Sequence, residues 1–289
     1  MLSSVFENVL MMYARRFPLR RGKLRVIDYL WRRGLSGGCN HRVATLKHGE
    51  FKMSCDLSEM LQRQVYFFGT YFLEEDLLNC WVNVSKGANV VLDVGANAGI
   101  YSLAAIAIQP DVVVHAFEPT PEIAARLRAT AKLNHLENLY VHEVAVLGEN
   151  GHAALNRCRG DLGDNEGMNF VTKDIGNTDV ERVKTVSLDQ FCRDHSIDHV
   201  DLFKLDVQGH EYSALEGAEL LIREGRVGTL FMELNWARKA GAPCAATKSI
   251  RLLRQANYLF SKPGKRLNWE KAGDWLYGLS DIVARRAHA

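Results

Sequence analysis

Two carboxylates flank a glycine-rich turn in this chain. Asp93-Val94-Gly95-Ala96-Asn97-Ala98-Gly99 follows an apolar run, and Glu118 closes the next one, in His115-Ala116-Phe117-Glu118-Pro119. A turn with Gly95 and Gly99 lets backbone come close to a ligand at a strand-to-helix junction. Glycines alone announce only a binding turn; the acids select what binds. Asp93 at the mouth of the loop would repel a dinucleotide pyrophosphate, which also wants the helix N-terminus. The same carboxylate suits the α-ammonium of a methionine moiety, directly or through water. Glu118 can accept two hydrogen bonds from a ribose diol. The third strand offers no obvious acid for an adenine amino group, so backbone around Val144 and Ala145 is the candidate reader of an adenine edge. Asp93, Gly95, Asn97, Gly99, Glu118 and Ala145 are therefore the expected cofactor residues. The expected cofactor is S-adenosyl-L-methionine, with a nicotinamide-dependent oxidoreductase as the alternative.

A second group stands further along: Asp206, His210 and Glu211, then Glu233 and Asn235. Methyl transfer from a sulfonium is an in-line displacement, in which an enzyme mainly aligns the reacting atoms. A hydroxyl acceptor has a high pKa and needs a base or a metal ion. Asp206 is the first candidate for base or metal ligand, because a carboxylate at the end of a buried strand needs a partner. His210 is the second candidate base and Glu233 the third. Asp206, Glu233 and Asn235 could converge on a Mg²⁺-type ion, or form a hydrogen-bonded network around one base. Glu211 opens a helix and has an ordinary structural reading as a first-turn acid.

These residues need a scaffold, and the pattern supplies one from Asn89 onward. Short apolar runs at Val90–Leu92, Val112–Phe117, Tyr140–Leu147, Val200–Leu205 and Thr229–Leu234 alternate with helical stretches. Among these stretches are Ile100–Ile108, one opened by Pro121, and Glu211–Glu224 ending at Gly225. Alternation of this kind implies right-handed crossovers and a doubly wound, mostly parallel sheet covered on both faces, an α/β fold. Residues 148–186 break the rhythm; a surface loop and a substrate-facing insertion are equal readings. Before the sheet, a hairpin is expected around His48-Gly49, followed by helix from Leu57 to Val84 interrupted near Gly69.

Asp93–Gly99, Phe117-Glu118-Pro119 and Lys204-Leu205-Asp206-Val207-Gln208-Gly209-His210-Glu211 together resemble the FkbM family of S-adenosylmethionine-dependent methyltransferases. Val186–Phe191 and Gln64–Tyr71 fit the same pattern, so the resemblance runs over roughly residues 55–235. It implies a class I, Rossmann-like methyltransferase domain over 86–289 behind a mixed α/β accessory region over 1–85. It also implies seven strands, with Tyr258–Phe260 and Trp275–Tyr277 as candidates for an antiparallel edge. The implied reaction is O-methylation of a hydroxyl on a sugar, glycolipid or polyketide-like metabolite. The family usually has an acid where this chain has Gln208, which bears on any role needing a second carboxylate beside Asp206. The accessory region is expected to pack over the cofactor mouth, with Gly69–Phe72 near bound cofactor.

The chain has 289 residues, 47% of them hydrophobic, enough for a sizeable core. Its net charge of +2 gives no reason to expect a nucleic-acid partner. The missing Pro-Pro-aromatic motif after Asp206 likewise argues against base methylation. Six dispersed cysteines, without metal-ligand spacing, read as reduced, buried thiols of a cytoplasmic protein. No secretory leader or spanning helix is expected. Arginines crowd the N-terminal part, behind a Phe6, Val9, Tyr13, Phe17 stripe. The stripe reads first as packing, and alternatively as peripheral membrane contact. If the basic run were the working surface, the chain would be a membrane- or nucleic-acid-associated binding protein on a degenerate methyltransferase fold.

Overall fold

The computed structural model describes residues 2–17, 22–31, 33, 41–157, 159–160, 163–164, 170–172, 181–234, 236, 244–264 and 266–287. At its centre is a seven-stranded sheet. Numbered in chain order, its strands are β1 Val90–Val94, β2 Val113–Phe117, β3 Leu139–His142, β4 Val200–Leu205, β5 Val227–Glu233, β6 Tyr258–Ser261 and β7 Asp281–Arg286. Their order across the sheet is β3-β2-β1-β4-β5-β7-β6. The first five run parallel, and β7 pairs antiparallel with both β5 and β6. After β1 the chain winds outward through β2 and β3, then crosses back to place β4 on the other side of β1. The carboxyl ends of β1 and β4 are thus the switch point where doubly wound sheets open a crevice.

Alternation along each strand sends side chains to two cores. Leu92, Val94, Phe203 and Leu205 join the core beneath helices Leu188–Asp194, Glu211–Glu216 and Ala245–Gln255. Val91 and Leu202 join the opposite core, with helices Glu75–Val84, Ile100–Ile108 and Pro121–Leu133. That second core continues without a break into the N-terminal elements, taking in Leu10, Ile27, Met53 and Phe67. Trp81, fully buried, fastens the two together by donating its indole N–H to the Tyr101 carbonyl at 2.9 Å. The hairpin is present as His41–Thr45 paired antiparallel with Lys52–Asp56, and helix Met60–Phe68 stops at left-handed Gly69.

Several expectations change. Trp275–Tyr277 is no strand: Asp274–Leu276 forms a single 3₁₀ turn, and Asp281–Arg286 takes its place in the antiparallel pair, between β5 and the edge strand β6. Ile282, Val283 and Ala284 are completely buried there, a continuous apolar run that suits a strand covered on both faces. Tyr140–Leu147 is not one strand. After His142 the chain leaves the large sheet, and Ala145-Val146 pairs in parallel with Glu181–Val186 of a second sheet. The helix expected from Glu211 to Glu224 is two, Glu211–Glu216 and Glu219–Arg223. They part at Gly217, where any side chain would run into the Leu147 carbonyl.

The interval 148–186 carries structure of its own. Gly151–Asn156, Phe170–Thr172 and Glu181–Val186 form a four-stranded sheet with Ala145-Val146. The Gly-rich run 160–167 lies mostly outside the described residues. The N-terminal stripe is not a buried face: Val9 and Phe17 are exposed, and Phe6 and Tyr13 are half-buried, with Phe6 packed against the core, while the buried positions of that helix are Glu7, Leu10 and Ala14. Cys55, Cys80, Cys192 and Cys244 are buried and free, as expected; Cys39 and Cys158 lie outside the described residues.

Candidate functional site

The glycine-rich loop leaves β1 and returns its backbone to β2. Gly95 and Ala96 both donate their N–H to the Phe117 carbonyl at 3.0 Å. Gly95 has φ 79°, and a methyl group there would collide with the Asp206 carbonyl. This closeness brings the ends of β1 and β4 together, with Asp206 N–H donating to the Val94 carbonyl at 3.0 Å. Two non-glycine residues here share the left-handed region, Asn97 at φ 49° and Gln208 at φ 52°. Asparagine adopts it readily, but glutamine carries a strain of about 1–2 kcal/mol that the surrounding contacts must offset.

Glu118 is 6% exposed and lies at the end of β2. Its Oε2 accepts Asn97 N–H at 3.1 Å, and its Oε1 accepts Thr120 N–H at 2.9 Å. The carboxylate is fixed from both sides while lining a cavity that also takes in Asn97, Phe117, Val144, Ala145, Val171, Val207 and His210. The cavity wall at Val144–Leu147 is the point where the chain passes from β3 to the small sheet, and Val171 of that sheet joins it. The inner edge of the 148–186 segment thus faces the same cavity as the loop.

A second cavity continues from the first through Gly95, Asn97, Asp206 and Gln208. Its walls add Asp93, Tyr101 and Lys204 from the sheet side, and Tyr71 and Glu74 from the accessory region. Asp93 is buried, and its Oδ2 accepts both the N–H and the hydroxyl of Ser102, at 3.1 and 2.6 Å. Burial pushes its pKa up, against those hydrogen bonds and the charge of Lys204. Lys204 faces Asp93 across the β4–β1 ladder and is 2% exposed. It sits 4.9 Å from the Tyr101 ring centroid and pairs with Asp206 at 3.0 Å. Despite burial, Asp206 and Glu74 raise the lysine's pKa, so it stays charged. Glu74 accepts the Tyr101 hydroxyl at 2.8 Å, and burial pushes its own pKa up. The Tyr71 hydroxyl is buried and meets no hydrogen-bond partner among the described residues.

Asp206 and Glu233 form a carboxyl pair at the ends of β4 and β5. Gln208 Nε2 donates to Asp206 Oδ1 at 2.9 Å and reaches Glu233 Oε2 at 3.3 Å. The acid absent at position 208 is thus replaced by an amide that bridges two carboxylates. Burial works to raise Asp206, but Lys204 outweighs it and, with hydrogen bonds from Gln208 and Glu233, holds it below the usual range. Glu233 moves the other way: burial, then repulsion from Asp206 and Glu211, push it up to about 8. Glu211, 1% exposed, accepts Gly209 N–H through Oε1 at 2.8 Å, while its buried Oε2 lacks a partner among the described residues. Asn235 lies outside the described residues. Among those described, no three His, Cys, Asp or Glu side chains are grouped to hold a metal ion.

Tyr71 falls within Gly69–Phe72, the stretch expected near the cofactor, whereas sequence reasoning missed Lys204 and Glu74. For Lys204 the signal was present: a lysine inside the apolar run Val200–Leu205, two residues before Asp206, lies on the same strand face as that acid.

Comparison with known proteins gives the family. A model of the methyltransferase FkbM domain matches residues 93–260, more than half of the 289. The 2-O-methyltransferase NoeI of Sinorhizobium fredii (strain NBRC 101917 / NGR234) is 27% identical over 154 residues, covering 50% of this chain and 63% of that protein. This chain therefore spans less than two thirds of NoeI's length. The 31-O-demethyl-FK506 methyltransferase FkbM of Streptomyces tacrolimicus is 30% identical over 179 residues, covering 53% of this chain and 68% of that protein. Among solved structures, a SAM-dependent methyltransferase from Agrobacterium tumefaciens aligns with a TM-score of 0.45 at 10% identity, over 87% of this chain and 71% of that one. The chain belongs to the FkbM methyltransferase family.

Proposed function

We propose that this member of the FkbM family transfers the methyl group of S-adenosyl-L-methionine to a hydroxyl of a sugar, glycolipid or polyketide-like acceptor. The observation that carries the reading is the placement of Glu118 and the Asp93–Gly99 loop on two connected cavities at the sheet's switch point. In the first, Glu118 has its two oxygens already oriented by backbone N–H groups, ready to accept a ribose diol. The apolar walls at Phe117, Val144, Val146 and Val207 suit an adenine ring, with backbone near Ala145 at its edge. In the second, Asp93, Glu74 and Asp206 face a single lysine, an excess of negative charge that favours an ammonium and a sulfonium. When bound, the cofactor supplies an electrophilic methyl group on a positively charged sulfur.

The chain's own residues then have two tasks. One is alignment: the Asp206–Gln208 turn lines both cavities, placing the acceptor's approach next to the sulfonium end. The other is proton removal. As the acceptor oxygen bonds to the methyl carbon, the carbon–sulfur bond breaks toward sulfur and the hydroxyl proton must leave. Glu233, with its pKa raised to about 8, is better matched to a hydroxyl than Asp206. Glu233 lies behind Asp206 and Gln208 rather than on a cavity wall; we assign it as the base acting through Asp206, and Lys204 as the cation that neutralises Asp206. His210 lines the first cavity and is the alternative proton acceptor. Both relatives carry O-methyl chemistry in their names, which supports an oxygen acceptor.

Incubation with methyl-labelled cofactor and extracted glycans, glycolipids and polyketides tests this directly. The expected result is an alkali-stable methyl ether on a hydroxyl. Label appearing only on nitrogen, or on none of these acceptors, would overturn the assignment.

A further inference from the structure

We infer that the accessory region carries a binding site for the headgroup of an anionic phospholipid and docks on the surface of an anionic bilayer. This rests on the accessory region alone and not on the methyl-transfer reading. The site is a cleft between the end of helix Leu2–Arg16, the start of helix Lys23–Leu30 and the segment Phe68–Glu75. Three cations line it, Arg15, Lys23 and Lys47, against one acid, Glu75. Lys47 pairs with that acid at 2.6 Å. The other two charges are held by carbonyls. Arg15 donates to Phe67 and Tyr66 oxygens at 3.2 Å, and Lys23, 4% exposed, donates to the Ala14 oxygen at 2.8 Å. Among the described residues, carbonyls fix these two cations without neutralising them, which leaves the cleft positively charged.

A second observation points to a ligand. Thr70 lines the same cleft and is 2% exposed, yet its hydroxyl meets no hydrogen-bond partner among the described residues. A buried hydroxyl without a partner is unfavourable, and a phosphate oxygen in the cleft would satisfy it.

The surroundings identify the phosphate's carrier. Phe68 and Phe72 stack with centroids 4.2 Å apart and form an apolar wall, and Phe17 at the rim is 45% exposed. Of the eleven exposed large hydrophobic residues in the described structure, seven lie between residues 9 and 73. Val9 and Met12 stand on the helix that runs into the cleft, Val26 and Tyr29 on the helix that leaves it, and Leu73 follows Phe72. Arg16 and Arg25 are exposed on the same two helices, and Arg33 beyond the second. Exposed Val9, Met12, Val26 and Leu73 beside these arginines match the boundary between headgroups and acyl chains.

Co-sedimentation of the full chain with vesicles tests the proposal. Equal mixtures of phosphatidylglycerol and phosphatidylcholine should bind it at least tenfold more strongly than phosphatidylcholine alone, and added salt should weaken that binding. Arg16→Glu with Arg25→Glu should reduce binding by about fivefold per charge removed. Phe17→Ser with Leu73→Ser should release the protein from anionic vesicles. Thr70→Val removes only the unpartnered hydroxyl. It should weaken vesicle binding severalfold while leaving the melting temperature unchanged or higher. Equal binding to both kinds of vesicle, or binding indifferent to all these changes, would overturn it. So would tight binding of glycerol phosphate without binding to vesicles, which would make the cleft a pocket for a soluble anion.

Discussion

One short segment of chain, Gly69–Glu75, has opposite charge on its two sides. Tyr71 and Glu74 turn toward the cavity at the sheet's switch point, where acids outnumber the single buried lysine. Thr70, Phe72 and Glu75 turn toward the accessory cleft, where cations outnumber the single acid. Alternation of a few side chains thus separates a site suited to a cationic ligand from one suited to an anionic ligand. The two also differ in construction. The sheet-side charges sit on strand ends, tied to one another and buried, where a low dielectric shifts their pKa values. The cleft's charges hang on helix ends and loops, held by carbonyls beside an exposed apolar rim.

The largest effect that would separate the two sites comes from Gly95→Val. Its side chain would displace the Asp206 carbonyl, so binding of S-adenosylhomocysteine should fall below detection by calorimetry, while anionic-vesicle binding is retained. Loss of both would mean that the cavity and the cleft are not independent. Next is Glu233→Gln, expected to lower kcat by on the order of 100-fold or more, with the KM for cofactor little changed. A base titrating at about 8 must lose its proton to work, so wild-type kcat/KM should rise with pH and level off above about 8. A rate already flat from pH 6 upward would return the base role to another group.

Lys204→Met follows. It leaves the half-buried Asp206 without its counter-ion and should cost about 3 kcal/mol of stability, the low end for a buried pair, read from urea unfolding. A loss under 1 kcal/mol would show that the acids do not need that charge. The smallest effect concerns the strands behind Glu118. Burial first, then the neighbouring histidines, lower His115 and His142 to about 4 from 6.5, and their rings meet at 3.0 Å. The unfolded chain takes up these protons below about pH 6.5, whereas the folded one waits until about pH 4. Their contribution to stability is therefore complete above pH 6.5 and is lost as the pH falls toward 4. The melting temperature should drop across that window, and His142→Phe should flatten the drop.

The sequence showed most clearly what is local. Asp93, Gly95, Gly99 and Glu118 belong to turns whose conformation is set within a few residues; the structure places Asp93, Gly95 and Glu118 on connected cavities, whereas Gly99 lines neither and packs against Leu127. Glu74 was illegible because it reaches the site through tertiary packing of a region with no periodic link to the sheet; Tyr71 was reached only through the family resemblance of its segment. The antiparallel strand beside β6 was misplaced for a related reason. Trp275-Leu276-Tyr277 is too short to reveal its period, while Ile282–Ala284 is a continuous apolar run that only burial on both faces explains. Likewise, nothing local to Gly217 reveals the Leu147 carbonyl that splits the helix there.

The central claim is that Glu118 and the Asp93–Gly99 loop hold S-adenosylmethionine, and calorimetry with S-adenosylhomocysteine tests it most directly. Wild-type protein should bind, and Glu118→Ala should weaken binding on the order of 100-fold through loss of charge-assisted hydrogen bonds worth about 1.5–3 kcal/mol each. Wild-type protein that binds no S-adenosylhomocysteine, or a Glu118→Ala variant that binds it equally well, would contradict the account.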